Sequence, residues 1–242
     1  MKALVLCGGY AKRMGPLAEE RPKPLLPVKG RPMLEHILKK IEPLEGVDQI
    51  LISVNRKFEQ QFADFLQRYQ SPKHIKLVVE PSQRNEEKLG AVRGLDYAIE
   101  QEKITDPLLV INGDNLFDSG LFGLLLLYKK NKSPVVGLFD VREIEKAKHL
   151  GIVEVDSGGR ITDFEEKPPQ PKSTLASTGI YIFTSPALQK ISSYLRDHQG
   201  DRVGDFISWL SNQERVYGFV FQGRWFDIGS PEEYERAERE WE

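Results

Sequence analysis

The segment LCGGYAKRMGPLAEERPKPLLPV (residues 6–28) closes a run of small apolar residues, 3–7, with the double glycine Gly8-Gly9. A buried strand running into two glycines lets the backbone turn sharply and bring its N–H groups close to an anion. Lys12, Arg13 and Lys23 follow within reach of the same place. Several cations beside exposed amides suit a triphosphate. An ordinary strand-to-helix turn with solvated charges fits the glycines alone. The pattern GxxxxGK[ST] is absent from this segment, as is GxGxxG, so neither a Walker A loop nor the dinucleotide fingerprint applies.

Outward from that segment, short apolar runs alternate with helical spacing. Leu34, Ile37, Leu38 and Ile41 mark a helix over 33–41, a second strand covers 49–54, and Phe58, Phe62, Phe65 and Leu66 mark a second helix. Strand, helix and strand continue over 75–79, 89–99 and 108–111. Such alternation implies βαβ units and a parallel sheet, with ligands bound beyond the carboxyl ends of the strands. After about Ser133 the pattern changes. Residues 135–141, 151–155, 160–164 and 179–183 read as strands, with a hairpin turn at Gly158-Gly159 and an extended proline-rich connection over 168–171. Helical spacing returns over 187–195, 203–210 and 231–241. The expected fold class is α/β: a three-layer, Rossmann-like, mostly parallel sheet with a strand-rich excursion. One domain is expected, with a nucleotide-binding part over 1–132, the excursion over 133–200, and a C-terminal part over 201–242 that packs back on the first part.

Composition excludes several function classes. The 242 residues are 40% hydrophobic and 29% charged, enough for a packed core. A net charge of −2 leaves no overall electrostatic footprint for nucleic acid. Cys7 is the one cysteine, so no internal disulfide and no Cys/His metal spacing exist; ending an apolar run, it reads as a buried structural thiol. No apolar stretch reaches the ~20 residues that span a bilayer, and the N-terminus lacks a signal-peptide pattern. A cytoplasmic protein without a membrane partner is expected. The run 121–127 suits either core or an interface, leaving a homo-oligomer open. His36, His74, His149 and His198 stand in helical or polar contexts that assign none a role.

A second motif is Val110-Ile-Asn-Gly-Asp114-Asn115, at the end of the fourth strand. A carboxylate at a strand tip is well placed to hold Mg²⁺ against phosphates, although Gly-Asp-Asn is also good turn chemistry. A third lies in the excursion: Leu150-Gly151-Ile-Val-Glu154, Asp163-Phe-Glu-Glu166-Lys167-Pro168 and Ser177-Thr178-Gly179-Ile-Tyr181. A fourth is Gly223-Arg-Trp-Phe-Asp227-Ile-Gly-Ser230, with Ser230 a helix cap before Pro231.

Gly8-Gly9-x-Ala11-x-Arg13-Met14 followed by Lys23-Pro-Leu-Leu-Pro-Val28 resembles the signature of the sugar-1-phosphate nucleotidyltransferases, and the resemblance extends over roughly residues 1–240. It implies the reaction NTP + sugar 1-phosphate → NDP-sugar + pyrophosphate, with Mg²⁺ as cofactor. It implies that the loop at Gly8, Gly9, Ala11 and Lys12 wraps the triphosphate, that Arg13 contacts phosphate, and that Lys23 binds near the α-phosphate. Asp114 and Asp227 would be the metal ligands, which requires both strand ends to lie on one rim. Glu166 would bond sugar hydroxyls; Lys167, with Arg202, would hold the sugar phosphate beside Gly151 and Thr178. Glu80 and Gly90 would meet base and ribose, although residues 83–88 also fit a solvated loop. Ala11 stands where the family commonly has glycine, Lys12 where it has threonine, and Leu150 where it often has tyrosine. The run 167–183 points to a glucose-type sugar with dTTP or UTP, whereas a carboxylate at Glu80, which only accepts hydrogen bonds, suits the N–H edge of guanine and a mannose 1-phosphate guanylyltransferase. The competing classes are a non-catalytic NDP-sugar-binding regulator, opposed by the intact Arg13, Lys23, Asp114, Lys167 and Asp227, and a glycosyltransferase, which would carry Asp-x-Asp where this chain has Asp114-Asn115-Leu116.

Overall fold

Ala3, Leu4 and Val5 have no exposed surface, because the first strand runs through the middle of a sheet with a helical layer on each face. The computed structural model describes residues 1–241. In chain order the strands are Lys2–Leu6 (β1), Pro27–Val28 (β2), Arg31–Pro32 (β3), Gln49–Asn55 (β4), His74–Glu80 (β5), Leu108–Asn112 (β6), Asn115–Phe117 (β7), Val135–Asp140 (β8), Gly151–Val155 (β9), Ile161–Glu166 (β10), Leu175–Phe183 (β11), Tyr217–Phe221 (β12) and Trp225–Asp227 (β13). The α-helices are Met33–Ile41 (α1), Glu59–Arg68 (α2), Ala91–Gln101 (α3), Phe122–Asn131 (α4), Ile144–Ala147 (α5), Ser185–Gln189 (α6), Ile191–Asp197 (α7), Val203–Ser211 (α8) and Pro231–Glu240 (α9).

The main sheet runs β10-β9-β11-β6-β1-β4-β5, with β8 and β12 continuing from β11. β6, β1, β4 and β5 are parallel, while β11 enters antiparallel to β6 and starts the strand-rich flank. Alternate residues face opposite layers. Ala3, Val5, Leu109 and Ile111 pack under α1, α2 and α4; Leu4, Leu108 and Val110 pack under α3 and α6–α8. The fold is thus three-layer α/β, Rossmann-like, as the alternation of strands and helices indicates.

Several local expectations shift. The helix expected over 187–195 is two helices meeting at Lys190. α3 begins at Ala91 rather than 89, because Gly90 holds φ +86° and its next two residues bond the 200–201 loop: Ala91 N donates to Asp201 O and Val92 N to Gly200 O. β12 has no clear alternating signal, and its pairing with β8 makes it a strand. The run 121–127 forms most of α4, with Leu124 and Leu125 buried and Phe122 and Leu126 exposed. The Gly158-Gly159 turn forms, and Asp156 Oδ1 accepts from Gly158 N and Arg160 N. Of the C-terminal helices, α9 packs against the 3₁₀ segment Lys12–Ala18, whereas α8 packs on β10, β11 and α3. No helix among the described residues is long and apolar enough to cross a membrane.

Candidate active site

The loop after β1 is anchored on both sides. Cys7 N donates to Ser53 O at 2.8 Å, and Gly113 N donates to Leu6 O at 2.9 Å. Gly8 is required by a close approach: a Cβ there would lie 2.6 Å from Oε1 of Glu80. Ala11 sits in the left-handed region at φ +46° and starts the 3₁₀ segment that carries Lys12 and Arg13. Cys7 is buried in the core below this loop, and burial pushes its thiol up.

Lys23 is fixed in a short 3₁₀ turn between Pro22 and Pro24. Its ammonium donates to Asp114 Oδ2 and to the Ile228 carbonyl, both at 2.7 Å. Asp114 follows β6. Asp227 ends β13, which pairs antiparallel with β7 so that Asp227 stands opposite Asn115. Ile228 N donates to Asp114 O at 3.2 Å. The two carboxylates therefore converge, but not through two strand ends of one sheet. β7 and β13 form a separate two-stranded ribbon, since the chain turns out of the main sheet at Gly113. Burial, the nearby Asp114 charge and Glu233 raise the proton affinity of Asp227, against Lys23 and Arg13.

Two cavities open at the carboxyl ends of the parallel strands, of about 390 Å³ and about 610 Å³. Gly8, Gly9, Ala11, Lys12, Lys23, Glu80 and Gly90 line the smaller. Gly151, Glu166, Lys167, Thr178, Arg202 and Asp227 line the larger. Arg13 and Asp114 border both, together with Ala91, Asn112, Asp201 and Gly229, so the cavities meet at one junction. Each residue to which the resemblance gave a role borders one cavity or the other.

Individual environments differ. Glu80 is 5% exposed; Ser53 Oγ donates to its Oε1 at 2.6 Å, and burial raises its proton affinity. Gly94, like Gly8, leaves room for this carboxylate, since a Cβ there would stand 2.9 Å from Oε1. Glu166 is half-buried, its proton affinity also raised by burial and offset by Arg202 and Lys167; Arg202 Nη1 lies 3.6 Å from its Oε1. Gly151 and Gly204 clear space for Glu166 and the Phe164 ring. Lys167 holds φ +51° while its N–H donates to Leu150 O. Thr178 is buried, and its hydroxyl donates to Gly137 O at 2.9 Å. Lys12 is exposed and pairs with Glu86 at 3.1 Å, tying the glycine loop to the segment 83–88.

Sequence reasoning did not single out Asn112, Asp201 or Glu233. Asp201 carries no local pattern, and Asn112, although inside the Val110–Asn115 motif, is given no role there; the fold brings both to the junction. Glu233 did have a signal, because Ser230-Pro-Glu-Glu233 has capping-box spacing.

The chain matches the family model described as nucleotidyl transferase over residues 2–242. It is 33% identical over 234 residues to the bifunctional protein GlmU of Methanocaldococcus jannaschii, covering 96% of this chain and 52% of that protein. It is 26% identical over 243 residues to the UTP–glucose-1-phosphate uridylyltransferase AglF of Haloferax volcanii, covering 99% and 96%. The crystal structure of a candidate glucose-1-phosphate thymidylyltransferase from Bacillus anthracis aligns with a TM-score of 0.86 at 25% identity, covering 99% of this chain and 94% of that one. The chain spans about half the length of the GlmU relatives it matches. A family match along nearly the whole chain means that this chain belongs to the nucleotidyl transferase family.

Proposed function

We propose that the chain joins a nucleoside triphosphate and a sugar 1-phosphate into an NDP-sugar and pyrophosphate. The observation that carries this reading is the junction of the two cavities at Arg13 and Asp114. A triphosphate held by the amides at Gly8, Gly9 and Ala11 would present its α-phosphate there, and a sugar phosphate held by Lys167 and Arg202 would enter from the other side. An oxygen of the sugar phosphate attacks the α-phosphorus. A new P–O bond forms as the bond to the β-phosphate oxygen breaks, and pyrophosphate leaves. Positioning and charge neutralisation are the work required of Arg13, Lys23 and Lys167. Glu166 accepts from the sugar hydroxyls, and Glu80 and Gly90 face base and ribose.

Asp114 and Asp227 suit Mg²⁺. They are hard oxygen donors, and burial together with the Asp114 charge raises the proton affinity of Asp227, a cost that a bound cation would offset. When bound, Mg²⁺ supplies charge neutralisation on the phosphates.

For the substrates, we favour a glucose-type sugar with dTTP or UTP. AglF, named a UTP–glucose-1-phosphate uridylyltransferase, aligns along almost its full length and supports this. A second reading, GTP with mannose 1-phosphate, is favoured by Glu80. As a buried carboxylate it accepts from the guanine N1–H and N2–H; in its neutral form, which burial favours, it can also donate to a pyrimidine carbonyl. The test is pyrophosphate release from each NTP with Mg²⁺ and a panel of sugar 1-phosphates. Release with one pair is expected, and Lys167→Ala should chiefly raise KM for the sugar phosphate. Silence across the panel would overturn the reading.

A further inference from the structure

Glu233 lies in the first turn of α9 and borders the larger cavity. It has no place in the chemistry above, yet its side chain reaches back out of the helix: Gly229 N donates to its Oε2 at 2.7 Å, and its own N–H donates to Ser230 Oγ at 3.3 Å. The peptide that joins Ile228 to Gly229 is therefore held at both ends. Its carbonyl accepts from Lys23 Nζ at 2.7 Å, and its N–H is shared between Glu233 Oε2 at 2.7 Å and the Asp227 carbonyl at 3.0 Å, so Glu233 is the acceptor that reaches it from α9. In a planar trans peptide these two groups point in opposite directions, so a grip on one end aims the other. Lys23 in turn grips Asp114 at 2.7 Å, and Asp227 immediately precedes the held peptide. A side chain at Gly229 would crowd the site, since the point its Cβ would occupy lies 3.2 Å from Glu233 Oε2 and 3.3 Å from Arg13 Nη2.

We infer that Glu233 is a positioning residue which, by holding the Ile228–Gly229 peptide, aims Lys23 and Asp227 at the junction of the two cavities. The inference rests on the proposed roles of those two residues. Glu233 acts as a neutral acceptor could, because its partner is a backbone N–H. A glutamine retains that acceptor, an alanine removes it, and an aspartate is one methylene too short to keep it in place.

The experiment is steady-state kinetics on Glu233→Ala, Glu233→Gln and Glu233→Asp, alone and combined with Lys23→Ala, with Mn²⁺ affinity measured in the presence of a non-hydrolysable NTP analogue. Glu233→Ala is expected to lower kcat at least about tenfold while KM for the sugar phosphate changes less than about threefold; Glu233→Gln should recover kcat to within about threefold. Mn²⁺ should bind more weakly to the alanine variant than to the glutamine variant. On the Lys23→Ala background, Glu233→Ala should cost less than it does alone, because the two act through one peptide. Should the alanine variant not fold, a low kcat for aspartate beside a near-normal one for glutamine carries the same conclusion. A kcat within about twofold of wild type in the alanine variant, or a glutamine variant as slow as alanine, overturns the inference and leaves the proposed function standing. No pyrophosphate from the wild-type chain overturns both.

Discussion

The carboxylates of this site differ in what surrounds them, and that sets what each substitution does. Asp114 is held by Lys23, and Asp227 is buried against it with a raised proton affinity. Asp114→Ala and Asp227→Ala should each lower pyrophosphate release by at least about 10²-fold, with the circular dichroism spectrum unchanged; near-normal turnover in either would remove that residue from the metal site. Glu80 provides a stability test. Burial holds its folded-state pKa above the ordinary carboxylate value of about 4.3, so the folded state binds more protons over the interval between the two. Its stabilising contribution is therefore complete at acid pH and is lost as pH rises through the raised value. Glu80→Gln keeps an acceptor for Ser53 and cannot ionise. Its melting temperature relative to wild type should climb between about pH 4 and pH 8, each tenfold change in proton affinity being worth about 1.4 kcal/mol. A flat difference across that range would show that the carboxylate is not strained by burial. The same variant separates the two base readings, since guanine recognition needs the ionised oxygens.

Secondary-structure elements meet the site mainly through their ends. α3 starts at Gly90, whose φ of +86° and close approach to Asp201 admit no side chain: a Cβ would lie 2.8 Å from Asp201 Oδ1. Gly90→Ala should cost about 1–3 kcal/mol in urea unfolding and raise KM for both substrates, because Asp201 borders both cavities. Gly46→Ala, at a position with open space, is the control and should stay within about 0.5 kcal/mol. An equal cost at both positions would mean that chain entropy rather than the Gly90 geometry was measured. The sequence pattern located α1, β4 and β6 well, since their apolar spacing is uninterrupted. It merged α6 and α7, because nothing in the spacing around Lys190 marks the break. It passed over β12, whose strand character comes from its partner β8.

At the scale of the molecule, the sheet sets two cavities side by side, from residues as distant in sequence as Gly8 and Asp227, and the proposed function puts the nucleotide in one and the sugar phosphate in the other. A product that fills both should protect the fold more than one that fills only the first. At a concentration of about 100 Kd an NDP-sugar adds about 2.7 kcal/mol of stability, a rise in melting temperature of roughly 5–10 °C for a chain of this length. Lys167→Ala should reduce that rise to the value seen with the nucleoside diphosphate alone. An unchanged rise would place the sugar phosphate away from Lys167. Phe122 and Leu126 remain the exposed apolar face of α4, on the opposite helical layer from α3 and α8.

The glycine loop, the cations after it and the alternation of strands and helices were legible in the sequence, because each depends on neighbours within one turn or one strand. Glycine permissiveness, apolar periodicity and helix capping are local properties. The family likeness added candidate roles for Asp114, Glu166, Lys167 and Asp227 but not the route by which they meet. Tertiary structure decided that route: β13 joins β7 in a ribbon of its own, and one peptide between Lys23 and Glu233 ties α9 to the glycine-loop side of the site. It also decided that Asp201 and Asn112 reach the junction. Convergence of residues more than a hundred positions apart follows from strand order and loop closure, which no local stretch of sequence encodes.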